Sequence, residues 1–333
     1  MRLDPSSIIN QANAFYESCV LFAAIDAGIF TVLAHLGGAD IDAVAGKIGA
    51  DQKAMRLLLD ACVATGLIVK DGDLYRNSAE ADAFLVKGKP ADLSGAICYN
   101  RDVYPAWGRL LELVRSGKPV EVPELHLGED EARTRTFVMS MHYRAMAIGQ
   151  AVMPHVDLAG RRTLLDIGGG PAAYSILACR KSEAIKCRVL DLPAVVRIAA
   201  ELVEKSGLKD RIELIPADYH KADFPAGNDV VNIFGVLHQE SPDLIGKILK
   251  KAYNSMEQGG VINILDMMTD ASRTSPKFSA LFAVNMALTT ENGWVFSDED
   301  MRGWLADAGF IDIKLVKLPP PMPHWLMTAV KSK

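Results

Sequence analysis

The sequence has no C-x-x-C pair and no cysteine–histidine spacing of a zinc site. Its five cysteines, Cys19, Cys62, Cys98, Cys179 and Cys187, stand singly along the chain. They read as reduced, mostly buried thiols in a cytoplasmic protein, with no metal centre. No apolar run reaches the roughly 20 residues of a membrane-spanning helix, so no membrane partner is expected. The N-terminus lacks the charged and apolar regions of a signal peptide. No basic stretch offsets the formal charge of −5, which argues against nucleic acid as a partner. Repeats and low-complexity tracts are missing as well. What is present is 333 residues, half of them hydrophobic, enough for two domains with a large core.

The chain is organised around Thr163-Leu-Leu-Asp-Ile-Gly-Gly-Gly-Pro171. The apolar run reads as a buried parallel strand, and the glycines after it let backbone amides approach a ligand. Ala172 to Ala178 then supplies a helix. Strand, glycine turn and helix make the nucleotide site of a doubly wound α/β sheet. A second strand, Arg188 to Pro193, ends in Asp191, whose carboxylate can accept both ribose hydroxyls of NAD or of S-adenosylmethionine. A third, Arg211 to Ile215, leads to Ala217-Asp218-Tyr219. Asp218 could accept from an adenine amino group, with Tyr219 against the ring. A fourth strand, Asp229 to Phe234, leads to Gly235-Val236-Leu237-His238-Gln239-Glu240 and a helix from about Asp243. A neutral imidazole at a strand's carboxyl end can take a proton from a phenol. Gly259-Gly260 turns into a fifth strand, Val261 to Asp266, and Asp266 could orient His238. Two last strands, Ile311 to Leu318 and Trp325 to Val330, flank the stiff loop Pro319 to Pro323.

The ordered set Asp166-x-Gly-Gly-Gly, Asp191-Leu192-Pro, Ala-Asp218-Tyr219 and Val-Leu-His238 resembles the class I methyltransferases of the plant-caffeate and hydroxyindole O-methyltransferase type, their bacterial members above all. The likeness covers nearly the whole chain. It implies a Rossmann-like α/β catalytic domain at 156–333 and an N-terminal all-α, winged-helix-like dimerisation domain at 1–95. A helical linker and substrate-pocket segment, 96–155, would join them. It implies S-adenosyl-L-methionine as cofactor, held by Asp166, Gly168, Gly170, Asp191, Leu192, Asp218 and Tyr219. A homodimer and a general base at His238 follow from the same likeness.

The N-terminal part reads as helices. Phe15, Cys19, Phe22 and Ile25 to Phe30 carry apolar residues at helical spacing. Asp40 caps a short helix that Gly49 ends, and Asp51 caps the next. Met55, Leu57, Leu58, Leu59, Cys62 and Val63 supply a buried stripe, and Leu67 to Arg76 forms a hairpin with an Asp-Gly turn. Such a winged helix can bind DNA, but its candidate reading helix offers only Gln52, Lys53 and Arg56 beside Asp51 and Asp60.

Between the domains, Tyr99, Tyr104, Trp107, Leu110, Leu111 and Val114 form one apolar set, and Phe137, Met139, Met141, Met146 and Met153 another. The resemblance makes the second a methionine-rich wall against a flat acceptor, whereas methionines also fill core gaps. Trp107, Met139, Tyr143, Asn285 and Met286 are the pocket candidates, and Lys118 to Gly128 reads as an irregular loop. Phe278 to Leu288 reads as a helix along the pocket, and Ser297-Asp-Glu-Asp300 caps a helix that ends at Gly309.

Two positions depart from the plant pattern. Gln239 replaces the Asp after the histidine, and Val295 stands where a Glu precedes the C-terminal helix cap. Asp266, Glu291 or Glu240 would then support the histidine. The expected function is O-methylation of a small hydroxylated aromatic compound. Methylation at carbon or nitrogen of a larger ring system such as a tetrapyrrole or quinone, non-methylating use of the cofactor, and a ligand-sensing regulator are the alternatives.

Overall fold

The structure is a computed structural model that describes residues 3–89, 91–121, 128–320 and 322–332. Val122 to Leu127 of the expected irregular loop and Pro321 of the proline loop lie outside the described residues. The chain divides into two compact units, Met1–Arg101 and Asp102–Lys333. The segment 96–155 is split between them, with no body of its own.

The first unit opens with α1 (Ser6–Asn13), which buries nothing, and α2 (Phe15–Asp26), which buries only Ala24. Its core begins at α3 (Ile29–Leu36) with Ile29, Phe30 and Leu33. Next come α4 (Ile41–Ile48) and α5 (Gln52–Ala64), each started by an aspartate whose carboxylate accepts a first-turn amide, Asp40 from Ala43 and Asp51 from Ala54. On α5 only Met55, Leu59 and Cys62 are fully buried, whereas Leu57 is 66 % exposed. The expected stripe was too wide: at 3.6 residues per turn Leu57 lies roughly opposite Leu59. Gln52, Lys53 and Arg56 are exposed, and Arg56 reaches Asp60 at 3.7 Å. The hairpin pairs β1 (Ile68–Asp71) with β2 (Leu74–Asn77), and its two-residue turn is Gly72-Asp73, one position beyond the expected Asp-Gly. Tyr75 is fully buried beneath it, its hydroxyl donating to Asp60 at 2.7 Å. A short α6 (Ala79–Phe84) and α7 (Ser94–Trp107) follow, and the boundary between the units falls within α7.

The second unit adds α8 (Leu110–Ser116) and the long α9 (Glu131–Val152) before its sheet. In chain order come β3 (Thr163–Ile167), α10 (Ala173–Lys181), β4 (Lys186–Asp191), α11 (Pro193–Ser206), β5 (Ile212–Pro216), β6 (Asn228–Phe234) and α12 (Pro242–Ser255). They are followed by β7 (Met256–Asp266), α13 (Lys277–Thr289), α14 (Asp298–Ala308), β8 (Phe310–Lys317) and β9 (Trp325–Lys331). The seven strands lie in the order β5-β4-β3-β6-β7-β9-β8. The first five are parallel, while β9 runs antiparallel to β7 and to β8. Helices cover both faces, so the central strands are near-continuous apolar runs: Leu165 and Ile167 pack on one side, Leu164 on the other. Met153 is buried in that second layer, and Met146 packs against it half-buried.

β7 starts earlier than expected and runs through Gly259-Gly260. A Cβ on Gly260 would lie 2.9 Å from the Glu257 carbonyl and 3.2 Å from that of Asp229, so the strand passes this register shift only without a side chain. Strand order reverses between β3 and β6. The carboxyl ends of these strands therefore flank the crevice where ligands bind in open α/β sheets. Among the described residues, no single helix is long and apolar enough to cross a membrane.

Candidate active site

The chain leaves β3 through Gly168, at φ +64°, where a Cβ would lie 2.6 Å from Val236 Cγ2. Only glycine lets the turns after β3 and β6 come this close. Around Gly170, at φ +52°, a Cβ would meet nothing within 4 Å. The amides of both glycines are already engaged, Gly168 N donating to Leu190 O at 2.8 Å and Gly170 N to Asp191 Oδ2 at 2.7 Å. The turn was expected to bare its amides to a ligand. Instead these two are spent inside the fold, unlike the free N–H groups that cradle a pyrophosphate.

Asp191 also accepts from the Leu192 amide at 2.7 Å through its other oxygen. Burial pushes its carboxyl up to about 6 against those two amides, which pull it down. Asp166 lies directly under the turn, fully buried, with Oδ2 accepting from Ser175 Oγ at 2.7 Å. Burial pushes it up to about 7, with the Asp191 charge adding to the effect. Its Oδ1 is buried without a protein partner, a position that calls for a donor from elsewhere. Asp218, beyond β5, accepts from the His220 amide at 2.9 Å and pairs with Lys221 at 3.1 Å. An unspent buried acceptor, a carboxylate at a strand's end and open space at Gly170 fit S-adenosylmethionine. That molecule brings hydroxyl and amino donors and no phosphate.

Across the crevice, His238 sits in a single helical turn, Leu237–Gln239. Its Nδ1 lies 2.7 Å from Asp266 Oδ1. Against a carboxylate this nitrogen is the donor, which leaves Nε2 as the acceptor. Asp266 is 2 % exposed; its Oδ1 also accepts from the Met267 amide at 2.8 Å, and its Oδ2 is buried without a partner. Phe282 of α13 meets the His238 ring edge to face, centroids 5.2 Å apart. Neither of the other two carboxylates considered for His238 reaches it: Glu291 is exposed, and Glu240 binds Tyr219 and His220 instead. Val295 packs with Met267, Phe282 and Met286 in a small apolar cluster.

That cluster places Met286 beside the histidine's aromatic neighbour. Trp107 Nε1 donates to Asn285 Oδ1 at 2.9 Å, joining two pocket candidates from distant parts of the sequence. Met139 packs with Val138, Val195 and Ile198, next to Leu192. Tyr143 is 41 % exposed and stacks edge-on with His142. Two neighbours escaped the sequence reading. Arg144 lies 6.0 Å from the Phe282 ring centre. His324 is buried with Nδ1 unpartnered, and burial pushes it down to about 3, helped by the charges of Arg144 and His238 and opposed by Asp266. His324 stands just before β9, whose first residue, Trp325, pairs with Asp266, and no local sequence signal marks it.

The chain is similar to known enzymes over nearly its whole length. Residues 121–311 match the O-methyltransferase domain, and residues 9–87 match the O-methyltransferase dimerisation domain. The 3-hydroxy-5-methyl-1-naphthoate 3-O-methyltransferase of Streptomyces sahachiroi is 30 % identical, over 98 % of this chain and 96 % of its own. The N,N-dimethyltransferase OxyT of Streptomyces rimosus is 27 % identical, again over 98 % and 96 %. The crystal structure of human N-acetylserotonin methyltransferase in complex with S-adenosylmethionine superposes with a TM-score of 0.89 at 26 % identity, covering 98 % of this chain and 97 % of that one. The chain belongs to the S-adenosylmethionine-dependent O-methyltransferase family, and carries both its catalytic and its dimerisation domain.

Proposed function

We propose that the chain methylates the hydroxyl oxygen of a small aromatic acceptor, with His238 as general base and Asp266 as the carboxylate that orients it. The observation behind this reading is the 2.7 Å contact between His238 Nδ1, just after β6, and Asp266 Oδ1, at the carboxyl end of β7. S-adenosylmethionine, when bound, supplies an electrophilic methyl group. Asp191, with Leu192 beside it, and Asp218 with Tyr219 would hold its ribose and adenine, while Asp166, Gly168 and Gly170 shape the floor beneath. Asp266 holds the imidazole as the Nδ1–H tautomer, so Nε2 receives the phenolic proton as the oxygen turns nucleophilic. Holding acceptor and methyl in line is the larger part of the task. Trp107, Asn285, Met286, Met139 and Tyr143 are the side chains proposed to do it.

The first unit is proposed to pair two copies of the chain. Leu3, Ile8, Ile9, Phe15 and Tyr16 are 94, 71, 52, 47 and 58 % exposed, a run of apolar groups just before α1, along it and at the start of α2 that one copy leaves bare. The reading includes a cytoplasmic location, in keeping with five free cysteines.

A second reading, transfer to nitrogen, is favoured by the near full-length likeness to an N,N-dimethyltransferase. The two separate when the protein is given S-adenosylmethionine with matched pairs of hydroxylated and amino-substituted naphthalenes, and the products are located by mass spectrometry. Methyl on oxygen supports the first reading. Methyl on nitrogen alone replaces it with the second.

A further inference from the structure

The turn bearing His238 is gripped from two sides by groups that do not touch its imidazole. Glu240 is 3 % exposed, and a carboxylate that deep must be matched by donors. Tyr219 Oη donates to its Oε1 at 2.5 Å, and His220 Nε2 lies 2.9 Å from its Oε2. Both partners belong to the loop after β5 that begins with Asp218. Gln239 adds a 3.3 Å contact from Nε2 to the Tyr219 hydroxyl, and Lys251 holds that loop through the Tyr219 carbonyl at 2.7 Å. On the far side, Trp294 donates its amide to the His238 carbonyl at 2.9 Å and its indole N–H to the Glu240 carbonyl at 2.7 Å. The turn therefore has its backbone pinned by Trp294 and its one buried carboxylate committed to the loop across the crevice.

We propose that Glu240 is a positioning residue: its carboxylate clasps the Asp218–His220 loop to the His238 turn, so that cofactor binding at the loop sets the orientation of the base. The proposal rests on the reading above, in which Asp218 and Tyr219 face the adenine. Glu240 is suited to this because it takes a charge-assisted bond from each of two successive loop residues, which fixes the loop in rotation as well as in distance. Gln239, a neutral amide, and Val295, an apolar side chain, offer no carboxylate to the turn. A displacement of the base by about 1 Å is enough to cost about a hundredfold in rate, so a clasp of this kind bears on chemistry without touching the acceptor.

The test needs no acceptor. In full-length protein with ¹⁵N-labelled histidine, the His238 ring resonances, assigned by His238→Asn, are followed by NMR as S-adenosylhomocysteine is added. The wild type is expected to bind the nucleoside and to shift His238. Glu240→Gln, which keeps the volume but loses the charge, is expected to bind it a few-fold more weakly and to leave His238 largely unmoved at saturation. His220→Asn, which opens the clasp from the other side, is expected to do the same and stands in if Glu240→Gln fails to fold. An equal His238 shift in the variants overturns the proposal, as does a wild-type His238 that ignores bound nucleoside. Failure of the wild type to bind S-adenosylhomocysteine at all overturns the proposal too, but it does so by removing the cofactor reading beneath it.

Discussion

Asp266 Oδ1 accepts from two donors at once, His238 Nδ1 at 2.7 Å and the Met267 amide at 2.8 Å. The carboxylate is thus fixed to the end of β7, and the imidazole at the end of β6 is fixed to the carboxylate. Asp266→Asn keeps the size but offers Nδ1 a group that can also donate, so the Nδ1–H tautomer is no longer imposed. Turnover should fall by about 10²–10⁴-fold, the usual worth of a positioned base, with affinity for S-adenosylmethionine nearly unchanged. Steady-state kinetics beside calorimetry on the same variant separate the two quantities.

With Asp191 on the ribose as proposed, cofactor binding gains a pH dependence. The Asp191 carboxyl, pushed up to about 6, is protonated below that pH and then loses acceptor capacity for the ribose hydroxyls. Affinity for S-adenosylmethionine should therefore drop as pH falls through about 6, and Asp191→Asn should be weaker throughout and flatter. Calorimetry from about pH 5 to about pH 8 reads this directly, with Asp166→Asn to separate the group near 7.

Stability of the free protein follows the opposite sign for Asp191. Its folded value of about 6 is above the ordinary 3.8, so the folded state holds the proton more tightly, and stability is lost as pH rises from about 4 through 6. His324 pulls the other way. Its folded value of about 3 is below 6.5, so the unfolded chain takes up the proton first, and stability is lost as pH falls from about 6.5 towards 3. Replacing His324 by Gln should flatten the acid limb of a denaturation-midpoint profile.

Pairing of the first unit predicts that light scattering finds twice the chain mass at micromolar concentration. Ile8→Glu with Phe15→Glu, both on the exposed apolar run, should yield monomers without loss of helix content, because neither side chain is buried in one copy.

Much of the catalytic half was legible because the buried parallel strands are apolar runs: β4 and β7 end on Asp191 and Asp266, and His238 follows within one turn of the end of β6 at Phe234. The caps of α4, α5 and α14 were legible as well, since an Asp or Ser bonds to an amide a few residues on. Long-range facts were not. His324 gains its place from β9 folding back antiparallel onto β7, and nothing near it in sequence points to Asp266. Glu240 was considered as a partner for His238, but direction along the turn sends its side chain to Tyr219 and His220 instead. The glycine amides were read as open because their partners, Leu190 O and the Asp191 carboxylate, come from the neighbouring strand.

His238 is proposed to remove the acceptor's proton while the rest of the site binds and aligns. Single-turnover methyl transfer at saturating S-adenosylmethionine, to a hydroxynaphthalene that the wild type methylates on oxygen, tests it in His238→Ala. The expected result is a rate about 10²–10⁴-fold lower with cofactor affinity unchanged. Transfer at the wild-type rate, with a pH profile that follows the acceptor's own ionisation, would contradict it.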